Sequence, residues 1–128
     1  MAIVENAVKR RLQAGQLAAS FNLSRLRTVE APQIAKACGF HWLFIDLEHS
    51  SMDLDTASQI CVAALDAGIT PLVRVSGHEH FHAARILDNG AMGVVVPHVD
   101  TVEEARAAVD HVKFPPLGHR SMTGGLSQ

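Results

Sequence analysis

Segments typical of helices and segments typical of strands alternate along this chain, and the alternation limits its possible folds more than any other feature. One predicted helix comes first, and four strand–helix pairs follow it. The predicted helices cover residues 3–14, 28–38, 53–67, 79–89 and 102–112, and the predicted strands cover residues 17–23, 42–48, 70–75 and 93–99. Strands that alternate with helices form parallel sheets. The chain is therefore predicted to be an α/β protein, with residues 114–128 as a loop.

Two α/β architectures fit this order, an open doubly wound sheet and a (β/α) barrel. No G-x-G-x-x-G motif follows the first strand, so the main dinucleotide-binding signature is missing. Polar residues instead lie at the C-terminal ends of several predicted strands, as in the active sites of TIM barrels. These residues are Asn22, Asp46, Glu48, His49, Arg74 and His98.

The number of strand–helix units then sets the extent of the domain. A (β/α)8 barrel needs eight units and about 250 residues, and this sequence supplies four. We therefore predict that residues 1–128 are a single partial domain, the first half of a (β/α)8 TIM barrel. A fragment, a cleaved product and one half of a two-chain barrel all remain open. Exposed strand edges are usually covered by other protein segments, so we expect this chain to associate with further protein.

Composition excludes several classes of partner. The 128 residues are 48% hydrophobic and carry a formal net charge of −2, so no basic field invites nucleic acid or acidic lipid. No apolar stretch reaches the ~20 residues that span a bilayer, and a cytoplasmic location is expected. Cys38 and Cys61 form neither a metal motif nor a disulfide framework, and both are expected to be buried free thiols.

The second predicted strand ends in residues suited to catalysis. An apolar run, 42–45, leads directly into Asp46, Glu48 and His49, and the two acids share one face of the strand. His49 next to carboxylates has the make-up of a general base, although it could also be a structural histidine. Arg74, at the end of the third strand, could hold a substrate carboxylate through two hydrogen bonds. Alternatively, Arg74 forms a buried ion pair that touches no substrate.

Three histidines alternate at the start of the fourth predicted helix. His78, His80 and His82 follow an H-x-H-x-H pattern, and imidazoles can bind zinc or nickel. Within a helix, however, the three side chains would not share a face. A solvated helix start is therefore the better interpretation of this segment.

Several segments in the same order along the chain resemble the HpcH/HpaI aldolase family, which comprises class II pyruvate aldolases on a TIM barrel. The resemblance extends over essentially the whole chain. The segments are GFHWLFIDLEH (39–49), PLVRV (71–75), ILDNGA (86–91), GVVVP (93–97), TVEEA (101–105) and FPPLGHRS (114–121). Members include 4-hydroxy-2-oxoheptanedioate and 2-keto-3-deoxy sugar acid aldolases. His98 departs from the family, which usually has an apolar residue after this Pro.

The resemblance implies a metal-dependent retro-aldol cleavage of a 4-hydroxy-2-oxo acid to pyruvate, or a related 2-oxo acid, and an aldehyde. His49 would be the catalytic base and Arg74 would bind the substrate and stabilise its developing negative charge, with Asp46 beside them. Asp88 matches an aspartate that raises the basicity of the histidine. The divalent metal would be Mg²⁺, Mn²⁺ or Co²⁺. Its family ligands, a Glu and an Asp, lie on later strands, so this chain is expected to supply no ligand and to be incomplete for catalysis.

The resemblance also implies a homo-oligomer and leaves other functions open. Asp88 ends a helix that runs away from the sheet edge carrying His49, so we expect any contact between them to cross a subunit interface. A citryl-type carbon–carbon lyase of the same superfamily is the alternative enzyme. A non-catalytic chain, either truncated or an interaction subunit, is the alternative of a different class.

Overall fold

Helices and strands occur in the predicted order. The structure, a computed structural model, describes residues 4–121. Within this range the five helices are α1 (Ala7–Gln13), α2 (Ala31–Ala37), α3 (Leu54–Ala67), α4 (His80–Asp88) and α5 (Val102–Val112), and the four strands are β1 (Ser20–Leu23), β2 (Trp42–Asp46), β3 (Thr70–Arg74) and β4 (Gly93–Val95). The start of the predicted helix 3–14 and the end of the predicted loop 114–128 lie outside the described residues.

The four strands form one parallel sheet in the order β1-β2-β3-β4, which confirms the predicted α/β fold. Each strand pairs with the next one along the chain, as in a barrel, whereas a doubly wound sheet reverses its order part-way. The strand register aligns Asp46 with Arg74, and Arg74 with Val95. The carboxyl ends of β2, β3 and β4 therefore lie side by side.

Successive residues of each strand lie on opposite faces of the sheet. One face packs against α2, α3 and α4 and supplies the core residues Leu23, Leu43, Ile45 and Val73, all of them completely buried. The apolar residues of the opposite face are only partly buried or exposed, namely Trp42, Phe44, Leu72 and Val95. Apolar side chains on an open face gain stability when a further layer covers them. In a closed barrel this face would be the interior.

Helix ends follow the local sequence closely. The Asp53 carboxylate accepts a hydrogen bond from Thr56 N at 2.8 Å and begins α3, and Gly68 ends it at φ 68°, in the left-handed region that glycine tolerates. Thr101 and Glu104 form a reciprocal capping box at the start of α5. These ends match the predicted bounds.

Strand ends agree less well with the sequence prediction. The predicted strand 42–48 ends two residues early, at Asp46, because the Asp46 side chain accepts hydrogen bonds from the backbone N–H groups of Glu48 and His49 and turns the chain. Likewise, the predicted strand 93–99 ends at Val95.

The two cysteines differ in exposure. Cys61 is buried on α3, as predicted, and burial raises the pKa of its thiol to about 12. Cys38 is exposed, so the expectation that it is buried is wrong. It caps the end of α2, beyond the buried face that Ala31 and Ala35 form. None of the helices in residues 4–121 combines the length and the apolar character needed to cross a membrane.

Candidate active site

Arg74 and Asp46 form the centre of the candidate site. Arg74 Nε donates to Asp46 Oδ1 at 3.0 Å, and Arg74 Nη2 donates to Asp46 Oδ2 at 2.6 Å. The Asp46 side chain is 6% exposed and that of Arg74 is 25% exposed. Two parallel N–H···O bonds fix both the distance and the plane of the guanidinium. The pair therefore presents the outer edge of Arg74 in one orientation.

Asp46 is also bound by the turn that follows it. Its Oδ1 accepts from Glu48 N at 3.0 Å and from His49 N at 3.2 Å. The hydrogen bond from Arg74 is the largest cause that lowers the pKa of Asp46, from 3.8 to about 2, and these two backbone bonds lower it further against the opposing effect of burial. Asp46 is therefore a carboxylate at any physiological pH, and it fixes the backbone that carries Glu48 and His49.

Glu48 lies between the guanidinium and two imidazoles. Its Oε2 is 3.2 Å from Arg74 Nη1 and 3.6 Å from His49 Nε2, and its Oε1 is 2.6 Å from His98 Nε2. The Glu48 side chain is 11% exposed, whereas the His49 and His98 rings are 68% and 76% exposed. Glu48 thus connects the Arg74 guanidinium to two imidazoles that face solvent.

The aromatic ring of Phe44 completes the setting of Arg74. The Arg74 guanidinium carbon lies 5.5 Å from the centre of this ring, within the range of a cation–π contact. Phe44 precedes Asp46 by two residues and shares its face of β2. Two of the five N–H groups of Arg74 donate to Asp46, which leaves three on Nη1 and Nη2.

The structure brings together three of the four predicted site residues, namely Asp46, His49 and Arg74. Asp88 instead lies at the end of α4, where its Oδ1 accepts from Arg120 Nη2 at 2.6 Å. The Arg120 side chain is 4% exposed and stacks over Phe114, with 4.6 Å from the guanidinium carbon to the ring centre.

Sequence reasoning placed His98 among the polar residues at the strand ends but assigned it no specific role. Its place after the fourth strand was the only signal available, because its contact with Glu48 joins residues 50 positions apart. His78 binds the backbone just before His98, because its Nε2 donates to Pro97 O at 2.5 Å. The other two alternating histidines are not at the site. His80 packs edge-on against Phe81 and His111. The Nε2 of His82 lies 3.4 Å from Glu79 Oε2.

The described residues do not fit a divalent metal. Within residues 4–121, no three His, Cys, Asp or Glu side chains are arranged to hold an ion. The two carboxylates nearest the site, Asp46 and Glu48, already pair with the Arg74 guanidinium. A second cation at the same oxygens would be repelled by that positive charge.

Comparison with known proteins decides the family. The model of the HpcH/HpaI aldolase/citrate lyase family matches residues 26–127. The chain belongs to this family. The match includes the strand ends that carry Asp46, Glu48, His49, Arg74 and His98. The resemblance inferred from the sequence motifs is thereby confirmed.

Relatives within the HpcH/HpaI family include several aldolases. The chain is 44% identical to the 4-hydroxy-4-methyl-2-oxoglutarate aldolase tasA of Hapsidospora irregularis, over 97% of this chain and 46% of that protein. It is 33% identical to the 4-hydroxy-2-oxo-heptane-1,7-dioate aldolase of Salmonella arizonae, over 98% of this chain and 47% of that protein. The chain thus spans about half the length of the curated relatives it matches.

Two solved structures match a similar share of the chain. The HpcH/HpaI aldolase from Desulfitobacterium hafniense matches with a TM-score of 0.87 at 30% identity, over 91% of this chain and 45% of that chain. The citrate synthase SbnG matches with a TM-score of 0.85 at 30% identity, over 92% of this chain and 48% of that chain. The four strand–helix units therefore correspond to about half of a TIM-barrel aldolase, which confirms the half-barrel prediction.

Proposed function

We propose that this chain supplies the acid–base half of the active site of an aldolase. The enzyme would cleave a 4-hydroxy-2-oxo acid to pyruvate, or a related 2-oxo acid, and a second carbonyl compound. The observation that carries the proposal is the cluster at the carboxyl edge of the sheet, where Arg74 meets Asp46 and Glu48 beside the exposed ring of His49. The 44% identity to a 4-hydroxy-4-methyl-2-oxoglutarate aldolase supports it.

His49 would act as the base in this reaction. It removes the proton of the 4-hydroxyl group, directly or through a water molecule, and the C4–O bond becomes a carbonyl as the C3–C4 bond breaks. The electron pair of that bond passes to C3 and forms the enolate of the 2-oxo acid. The ring suits this role because it is 68% exposed, while its backbone N–H is fixed to Asp46 Oδ1.

Arg74 would bind the substrate and stabilise the enolate. The negative charge of the enolate develops on the 2-oxo oxygen, and a preorganised donor at that position lowers the barrier. Three N–H groups on Nη1 and Nη2 are not taken by Asp46, and Nη1 also faces Glu48. In this scheme Asp46 orients Arg74 and takes no proton, because its pKa is about 2.

Asp88 and the assembly state form a separate part of the proposal. Within this chain Asp88 pairs with Arg120 at the end of α4. A role of Asp88 in raising the basicity of a catalytic histidine would therefore require the His49 of a second copy in a homo-oligomer. Sedimentation of the intact protein measures that assembly, and a monomer with full activity would exclude this role.

The requirement for a divalent metal also belongs to the proposal. We infer that Mg²⁺, Mn²⁺ or Co²⁺ is held by ligands other than residues 4–121, whose side chains are not arranged for it. No step of the scheme above depends on how the ion is bound. Removal of metal with a chelator should abolish pyruvate release, and a species of these 128 residues alone should release none.

The decisive experiment replaces the proposed base. In the intact protein, with its length established by mass spectrometry, His49→Gln should lower kcat for pyruvate release by about 10²- to 10⁴-fold. Thermal unfolding should not change, because the ring is largely exposed. His119→Gln is the matched control, since His119 is an 87% exposed histidine outside the site. Activity of His49→Gln within twofold of wild type would reject His49 as the base.

A citryl-type lyase or synthase is the second candidate. The 30% identity and TM-score of 0.85 to the citrate synthase SbnG favour it. The two candidates differ in substrate, so parallel assays with a 4-hydroxy-2-oxo acid and with citrate or its precursors separate them. If the intact protein acts on neither, the non-catalytic alternative gains support.

A further inference from the structure

His98 reaches across the sheet to bind Glu48. It follows β4, while Glu48 follows β2, and β3 with Arg74 lies between them. The Nε2–H of His98 donates to Glu48 Oε1 at 2.6 Å. With its side chain 76% exposed, His98 does little packing. The hydrogen bond to Glu48 therefore indicates the role of His98 better than its packing does.

The backbone at His98 is held in an uncommon conformation. Its φ of 52° lies in the left-handed region, which residues other than glycine adopt rarely and only where their surroundings impose it. The preceding Pro97 is buried, and its carbonyl accepts the hydrogen bond of His78. The fold thus fixes the direction in which the His98 side chain leaves the chain.

The two oxygens of Glu48 have different partners because of this contact. Oε1 is bound to His98, and Oε2 faces Arg74 Nη1 at 3.2 Å. A carboxylate beside a guanidinium tends to take two N–H groups at once. Without His98, Glu48 Oε1 would be unpaired in a largely buried position, and rotation onto Arg74 would satisfy it.

We propose that His98 is a positioning residue that restrains Glu48 to a single-point contact with Arg74. The restraint leaves N–H groups on Nη1 and Nη2 available to the oxygens of the 2-oxo acid. Glu48 would otherwise compete with the substrate for the same donors. The inference rests on the proposed function and adds to it a residue that affects binding through Glu48.

The test compares variants of the intact protein. His98→Asn tolerates the left-handed backbone but is too short to reach Glu48. We expect it to raise KM for the 4-hydroxy-2-oxo acid about tenfold, the value of one charge-assisted hydrogen bond, with kcat within about twofold. His98→Gln restores a donor of similar reach and should recover most of the loss. In a Glu48→Gln background the charged competitor is gone, so His98→Asn should change KM much less.

His119→Asn is the matched control, because His119 makes a 2.6 Å contact with the Asp110 carboxylate outside the site. A crystal structure of His98→Asn gives a readout that needs no activity, and Glu48 should bind Arg74 through both oxygens. Unmoved Glu48, a fall in kcat at constant KM, or an equal effect in the Glu48→Gln background would overturn the inference. If the wild-type protein releases no pyruvate, the proposed function fails. The position of Glu48 in the crystal structure of His98→Asn still tests the role of His98.

Discussion

Arg74 and Asp46 occupy facing positions in the register of β2 and β3, and the guanidinium of one binds both carboxylate oxygens of the other. The sequence left open whether Arg74 binds substrate or forms an ion pair. The structure contains the ion pair, and three N–H groups remain outside it. The backbone register alone places these donors at the carboxyl edge of the sheet, where parallel α/β proteins bind their ligands.

Arg74→Lys tests whether those donors serve catalysis. Lysine keeps the positive charge but lacks the planar fork, so it cannot bind Asp46 at two points and face a substrate at the same time. We expect kcat/KM for pyruvate release to fall about 10²-fold. Arg85→Lys is the control, because Arg85 is exposed on α4. Unchanged activity of Arg74→Lys, with the fold intact by circular dichroism, would reduce the pair to a structural role.

The stability contributed by Asp46 should depend on pH. Its pKa falls from 3.8 to about 2 on folding, chiefly because Arg74 binds the ionised form. A carboxyl with a lowered folded pKa stabilises the native state above its unfolded pKa, and that contribution is lost as the pH falls towards the folded pKa. The difference in unfolding free energy between wild type and Asp46→Asn should thus be constant above about pH 5 and shrink between pH 4 and pH 2. Urea titrations measure it, and a difference that grows on acidification would contradict the assignment.

Arg120 should anchor the segment after α5 to the end of α4. The Arg120 side chain is 4% exposed and binds Asp88 at 2.6 Å, so Arg120→Met leaves a carboxylate without its partner. Loss of one member of a buried pair costs about 3 kcal/mol of unfolding free energy. Arg10→Met removes an exposed pair with Glu5 and should cost less than about 1 kcal/mol. Equal losses of unfolding free energy for the two variants in urea denaturation would show that the Asp88–Arg120 pair does not anchor this segment.

The two thiols should differ sharply in reactivity. The exposed Cys38 should react with a disulfide reagent within minutes, whereas the pKa of Cys61, raised to about 12 by burial, keeps it a thiol that reacts only after unfolding. Cys38→Ser should abolish the fast phase of modification in the native protein. A fast phase that persists in Cys38→Ser would mean that α3 opens under native conditions.

The strand ends show how far the sequence predicts the candidate site. Asp46 and Arg74 each follow an apolar run, and parallel strands bring their carboxyl ends to one edge, so their proximity could be predicted. The bidentate geometry could not, because it depends on the register between β2 and β3. The exposure of Cys38 could not be predicted from its apolar neighbours in the sequence. It faces solvent because it lies at the end of α2.

The sequence by itself determined the order of helices and strands, the ends of α3 and α5 and the family, because hydrophobic periodicity, caps and motifs are local properties of the chain. Only the tertiary structure decided which distant residues meet. His98 with Glu48 and Arg120 with Asp88 are separated by 50 and 32 positions. Such contacts depend on how strands align and how loops return between them, and neither is encoded in the spacing of residues along one element.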